Sequence, residues 1–122
     1  MKLAIVLESL VVLSAAVGVL GQVPILNTPA KLVTCEPVEL RWSGGQAPYF
    51  ISVQDGNNPS GPALEQFPEQ SRHSLTWIVN LKAGTSLGFL LRDSNGATSQ
   101  TAAVIVQPGY SEDCIGKPVL VY

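Results

Sequence analysis

The stretch CEPVELRWSGGQAPYFISVQ, Cys35–Gln54, decides the fold. In it Val38, Leu40 and Trp42 alternate with Glu39 and Arg41. After Gly44-Gly45-Gln46-Ala47-Pro48, Tyr49, Ile51 and Val53 alternate with Phe50, Ser52 and Gln54. Period-two alternation sends successive side chains to opposite faces, so each run predicts a strand with one face on a core. The glycines and the proline between them mark a turn.

The same reading extends in both directions. Leu75, Trp77, Val79 and Leu81 alternate with Thr76, Ile78, Asn80 and Lys82. Leu87, Phe89 and Leu91 alternate with Gly88, Leu90 and Arg92. A first strand is expected near Val23–Asn27, and a last one over Thr98–Val106, which is rich in Thr, Val and Ala. Ala83-Gly84-Thr85 and Asp93-Ser94-Asn95-Gly96 fall between runs, and Asn-Gly tolerates the positive φ of tight turns. Asp55–Ser71 holds Gly56, Asn57, Asn58, Pro59, Gly61, Pro62 and Pro68. Prolines cannot serve a central ladder, so this stretch predicts a surface loop with a short edge strand near Leu64–Phe67. About seven short strands without a helical stripe predict an all-β, immunoglobulin-like antiparallel β-sandwich. Trp42 and Trp77 lie on the inward faces and read as core.

The N-terminus carries Lys2, an apolar run Leu3–Leu20 and small residues ending Val19-Leu20-Gly21. This reads as a signal peptide over 1–21, cut before Gln22. The domain then covers 22–114, with a short tail at 115–122. Glu8 inside the apolar run argues against a membrane span. Two cysteines in an exported domain predict one disulfide, Cys35 to Cys114. It would close a loop of about 80 residues, worth roughly 4 kcal/mol on the chain-entropy model. It would tie the chain before the second strand to the chain after the last one. The expected location is secreted, extracellular or cell-wall associated.

Charge excludes several function classes. The chain has a net charge of −2. The basic residues Lys31, Arg41, Arg72, Lys82, Arg92 and Lys117 are scattered singly, whereas nucleic-acid binding needs a basic stripe. Two isolated cysteines and His73 lack metal-ligand spacing, and no cofactor motif is present. The carboxylates Glu36, Glu39, Asp55, Glu65, Glu69, Asp93, Glu112 and Asp113 sit mostly at strand ends or in loops, where solvated surface acids are expected. A glycosidase would need two of them across a cleft, and a serine hydrolase would need a nucleophile elbow that the chain lacks. The expectation is a noncatalytic domain. Its candidate binding surface is Phe50 and Phe67 with the Asp55–Ser71 stretch, since sugar rings stack on exposed aromatics.

The runs Ile25-Leu26-Asn27-Thr28-Pro29 and Cys35–Tyr49, with Leu75-Thr76-Trp77-Ile78-Val79, Asp93-Ser94-Asn95-Gly96-Ala97 and the late Cys114, carry a family resemblance. Over residues 24–114 the chain resembles the N-terminal Ig-like domain of fungal KRE/KNH-like cell-wall proteins, the Ser/Thr-rich GPI-anchored family. That resemblance implies a wall-associated protein, linked in some members to β-1,6-glucan assembly, and it supplies no catalytic residues. The stretch after Cys114 lacks the family's stalk and anchor signal, as in a freely secreted form or a shortened chain. Two readings follow. One is a wall domain that binds or organises β-glucan. The other is a secreted interaction module with a protein partner, in which Val119–Tyr122 lends a strand to that partner or pairs with its own sheet. The oligomeric state stays open.

Overall fold

A computed structural model describes residues 23–122, so the expected signal peptide lies outside the described residues. Eight strands follow: β1 (Ile25–Leu26), β2 (Pro37–Ser43), β3 (Phe50–Asp55), β4 (Asn58–Gln66), β5 (Ser74–Ile78), β6 (Ser86–Arg92), β7 (Thr98–Gln100) and β8 (Val104–Ile105). They form two antiparallel sheets. One runs β1-β2-β5, the other β4-β3-β6-β7, with β8 also on β6. The chain therefore changes sheet between β2 and β3, and the order is that of an immunoglobulin-type sandwich.

The alternation selects the core as expected. Leu40 and Trp42 of β2, Ile51 and Val53 of β3, Leu75 and Trp77 of β5, and Leu87, Phe89 and Leu91 of β6 are all buried. Trp77 is fully enclosed, its ring centroid 5.5 Å from Phe67 and 5.8 Å from Phe89. Trp42 meets the edge of Tyr49 at 5.6 Å. Such tilted and edge-on pairs add to the burial of large rings.

Gly44 and Gly45 both take positive φ, 77° and 71°, in the turn between β2 and β3. A Cβ on Gly45 would meet Asp93 Oδ2 at 2.9 Å. Asp93 is not the solvated acid that its place after a strand suggests: it is 1 % exposed. Its Oδ2 accepts from Gln46 N at 3.1 Å, and its Oδ1 accepts from Asn95 N at 3.0 Å and Ala97 N at 2.9 Å. One carboxylate thus ties the β2–β3 turn to the β6–β7 turn. Asp93→Ala should cost about 1.5–3 kcal/mol, the range for hydrogen bonds to a charged group. Urea unfolding measures it, and an unchanged midpoint would show that the backbone alone holds the turns.

Two expectations need correction. The Asp55–Ser71 stretch is mostly strand, not loop, because β4 occupies nine of its residues. β4 is an edge strand, where Pro59 and Pro62 need no partner on their outer side. The register shifts between Val53 and Gln54 and again between Gln54 and Asp55. There the Gln54 amide donates to Pro59 O at 3.1 Å and Gly61 O at 3.0 Å, replacing ladder bonds lost to the bulge. The Thr98–Val106 run is likewise two short strands, β7 and β8. Between them the Thr101 hydroxyl accepts from Phe89 N at 2.9 Å, so a side chain interrupts the ladder.

The tail pairs with its own sheet. Thr76 N donates to Tyr122 O at 2.7 Å, Tyr122 N to Thr76 O at 2.9 Å, and Ile78 N to Leu120 O at 3.1 Å. Residues 120–122 thereby cover the edge of β5 that β2 leaves free. The Cys35–Cys114 disulfide is present, with Cα atoms 5.6 Å apart.

Candidate functional site

The outward face of the larger sheet holds the most site-like surface. Alternation that sends Ile51 and Val53 inward sends Phe50 and Ser52 outward on β3, and Leu90 and Arg92 outward on β6. Phe50 stands directly opposite Arg92, and Ser52 opposite Leu90. The Arg92 guanidinium carbon lies 5.0 Å from the centre of the Phe50 ring, a cation–π distance. Phe50, Ser52 and Leu90 line a depression of about 290 Å³ together with Gln66 of β4, Thr98 of β7 and Arg92. Phe50 is half-buried there, one aromatic ring among polar groups that both donate and accept.

Phe67 does not share this surface, which corrects its place in the candidate pair. It is 6 % exposed, and its ring packs on Trp77. Phe67 follows β4, where its N–H donates to Ile51 O at 3.0 Å and carries the side chain into the core. Ala63 and Glu65 precede it on the more buried side of β4.

Glu65 is the second acid that the sequence places at the surface and the fold does not. Its Oε1 is buried with no hydrogen-bond partner in the protein. Burial pushes its carboxyl above the ordinary glutamate value of 4.5, and the Asn80 amide beside it pulls part of the way back. Glu65 and Asn80 border a surface depression that Lys82 and Lys117 also line. The folded state therefore holds the Glu65 proton more tightly than the unfolded chain does. Stability from this group is greatest at low pH and falls as pH rises from the ordinary glutamate value through the raised one. Glu65→Gln should raise the melting temperature at pH 7 and leave it unchanged near pH 4. A difference that does not vary with pH would overturn the assignment.

His73, the other residue weighed for chemistry, contacts Tyr49. The Tyr49 hydroxyl donates to Gly44 O at 2.9 Å and lies 3.1 Å from His73 Nε2. With the tyrosine proton committed to the carbonyl, Nε2 is the donor. Burial raises the Tyr49 pKa, and the Asp93 charge raises it further. This cluster braces the turn beneath Trp42. Among the described residues no group of three or more His, Cys, Asp and Glu side chains is placed to hold a metal ion. Among them, too, no helix is long and apolar enough to cross a membrane. Set against known proteins, the chain matches no family model, no curated protein and no solved structure.

Proposed function

We propose that this is a secreted, noncatalytic extracellular domain that binds cell-wall polysaccharide of the β-glucan type on the outward face of its larger sheet. The observation that carries the reading is the depression around Phe50, Leu90 and Arg92, rimmed by Gln66 and Thr98. A pyranose presents an apolar C–H face and a ring of hydroxyls. The Phe50 ring and Leu90 offer apolar contact to the first. The Arg92 guanidinium donates to hydroxyl oxygens, while Gln66 and Thr98 can donate and accept. The leader-like segment at 1–21 and the disulfide support an extracellular setting. The resemblance to KRE/KNH-like domains supports a wall ligand.

Retention of the mature domain on insoluble β-1,3- and β-1,6-glucan, against cellulose and chitin, tests this. Glucan should be retained preferentially. Phe50→Ala should weaken retention about 5–10-fold, the equivalent of the 1–1.5 kcal/mol that an aromatic contact supplies. Equal, negligible retention on all four polymers would overturn the glucan reading and leave a protein partner in its place. Release of reducing sugar, abolished by one carboxylate substitution, would overturn the noncatalytic assignment.

A further inference from the structure

The outward face of the smaller sheet is a second exposed surface, on the other side of the sandwich from Phe50. Residues 120–122 extend that sheet, so β5 stands between β2 and the tail. Register sets the rows that cross it. Pro37 lies opposite Ile78 on β5, and Ile78 N donates to Leu120 O at 3.1 Å. Glu39 lies opposite Thr76, which exchanges two backbone hydrogen bonds with Tyr122. Trp77 is buried and Val121 stands opposite it, so alternation sends Thr76, Ile78, Leu120 and Tyr122 outward. Leu120 is 55 % exposed and Tyr122 71 %. Past Tyr122 the edge of β5 runs into an open groove of about 410 Å³, where Glu69 and Arg72 join Ser74, Thr76 and Tyr122 in the lining. On the β2 side of Ser74 stands Arg41, which pairs with Glu39 at 3.1 Å.

This layout is self-complementary. β2 and the tail lie about 4.8 Å to either side of β5. A twofold axis parallel to β5 therefore sets Pro37 of one copy on Leu120 of the other, Ile78 on its own equivalent, and Glu39 against the Tyr122 hydroxyl. The same operation carries Arg41 to the groove, next to Glu69. Each contact occurs twice, as an isologous interface requires. The charges fit as well. Glu39 and Arg41 on one side of β5 meet Glu69 and Arg72 on the other. Two charges of each sign give a charged partner no net field to follow, whereas a second copy complements them. With the groove, the patch covers on the order of 500 Å² per copy, near the lower end of specific interfaces and suited to a weak, reversible contact. We infer that the outward face of β2, β5 and residues 120–122 is a twofold interface between two copies of this chain, with Ile78 at its centre and Arg41 of each copy seated in the groove of the other. The Phe50 faces then point away from each other, so the interface stands whatever those faces bind.

Sedimentation velocity of the mature domain at loading concentrations from about 5 to 500 µM tests this, because an interface of this size calls for a dissociation constant of roughly 10–100 µM. A monomer–dimer equilibrium is expected. Leu120→Asp puts a charge into the apolar row and should weaken association at least about tenfold, since the dimer would bury that charge unpaired. Leu120 is exposed in the single chain, so the melting temperature of the dilute protein should hardly move. Arg41→Glu and Glu69→Arg should each weaken association, and the two changes together should restore most of it, which a role in folding alone would not produce. A monomer at every concentration, association that Leu120→Asp leaves intact, or a double variant no stronger than either single change would each overturn the interface. Mass growing past the dimer would overturn the twofold arrangement. A monomer whose glucan retention falls with Leu120→Asp would assign this face to the polysaccharide instead.

Discussion

Trp77→Ala is expected to destabilise the domain by about 3–5 kcal/mol, the range for a large aromatic lost from a core. Stability of a domain this size is about 5–15 kcal/mol, so the variant keeps little margin. Trp77 is fully enclosed and bridges the sheets, touching Phe67 beyond β4 and Phe89 on β6 from its own place on β5. The indole N–H has no hydrogen-bond partner in the protein. The loss is therefore one of packing and transfer, with no hydrogen bond to add. Trp77→Phe keeps an aromatic ring against both neighbours and discards the unpaired N–H, so it should cost far less than the alanine change. Chemical unfolding followed by far-ultraviolet circular dichroism measures both. Equal losses for Phe and Ala would show that the indole's polar edge matters more than its volume.

The large inward residues are legible because β2, β3, β5 and β6 each repeat apolar side chains at every second position, while the opposite face holds mostly polar or small residues apart from Phe50, Ile78 and Leu90. Nothing else explains Val38-x-Leu40-x-Trp42 or Leu87-x-Phe89-x-Leu91. β4 defeated the same reading. Its buried side holds Ala63 and Glu65 and leads into Phe67, a weak apolar series broken by two prolines and a double register shift. An isolated Phe between Gln66 and Pro68 looks the same whether it faces solvent or core. Only the Phe67 N–H bond to Ile51 O decides the matter. Phe50 was legible as an outward residue, because Ile51 and Val53 fix the parity of β3. Its pairing with Arg92 was not, since that depends on the β3–β6 register. Asp93 and Glu65 look like surface acids in the sequence for the same reason: composition shows a charge but not what surrounds it. Asp93-Ser94-Asn95-Gly96 did carry a local signal, because an aspartate at a turn start accepts from backbone two residues on. The partner in the neighbouring β2–β3 turn, Gln46 N, lies 47 positions away and leaves no trace in the Asp93–Gly96 turn itself.

Replacing both cysteines, Cys35→Ser with Cys114→Ser, should remove about 4 kcal/mol, the chain-entropy value for a loop of some 80 residues. At about 4–8 °C per kcal/mol, the melting temperature should fall by roughly 15–30 °C. The bond does more than shorten the unfolded chain. Cys35 N donates to Val79 O at 2.7 Å just past β5, and Cys114 N donates to Cys35 Sγ at 3.2 Å. The disulfide thereby fixes the point from which residues 115–122 run back along β5. Residues 120–122 make three backbone hydrogen bonds there, and Val121 stands opposite Trp77. Without the bond, this short segment must find its edge unaided, against the entropy of a free terminus. Amide exchange separates the two effects. In the double-serine variant, Thr76, Ile78 and Tyr122 should lose protection well before Val53 and Phe89 in the other sheet. Uniform loss across both sheets would assign the whole effect to the unfolded state. Retained protection at Thr76 and Ile78 with an unchanged melting curve would show that β5 holds the tail without help from Cys114.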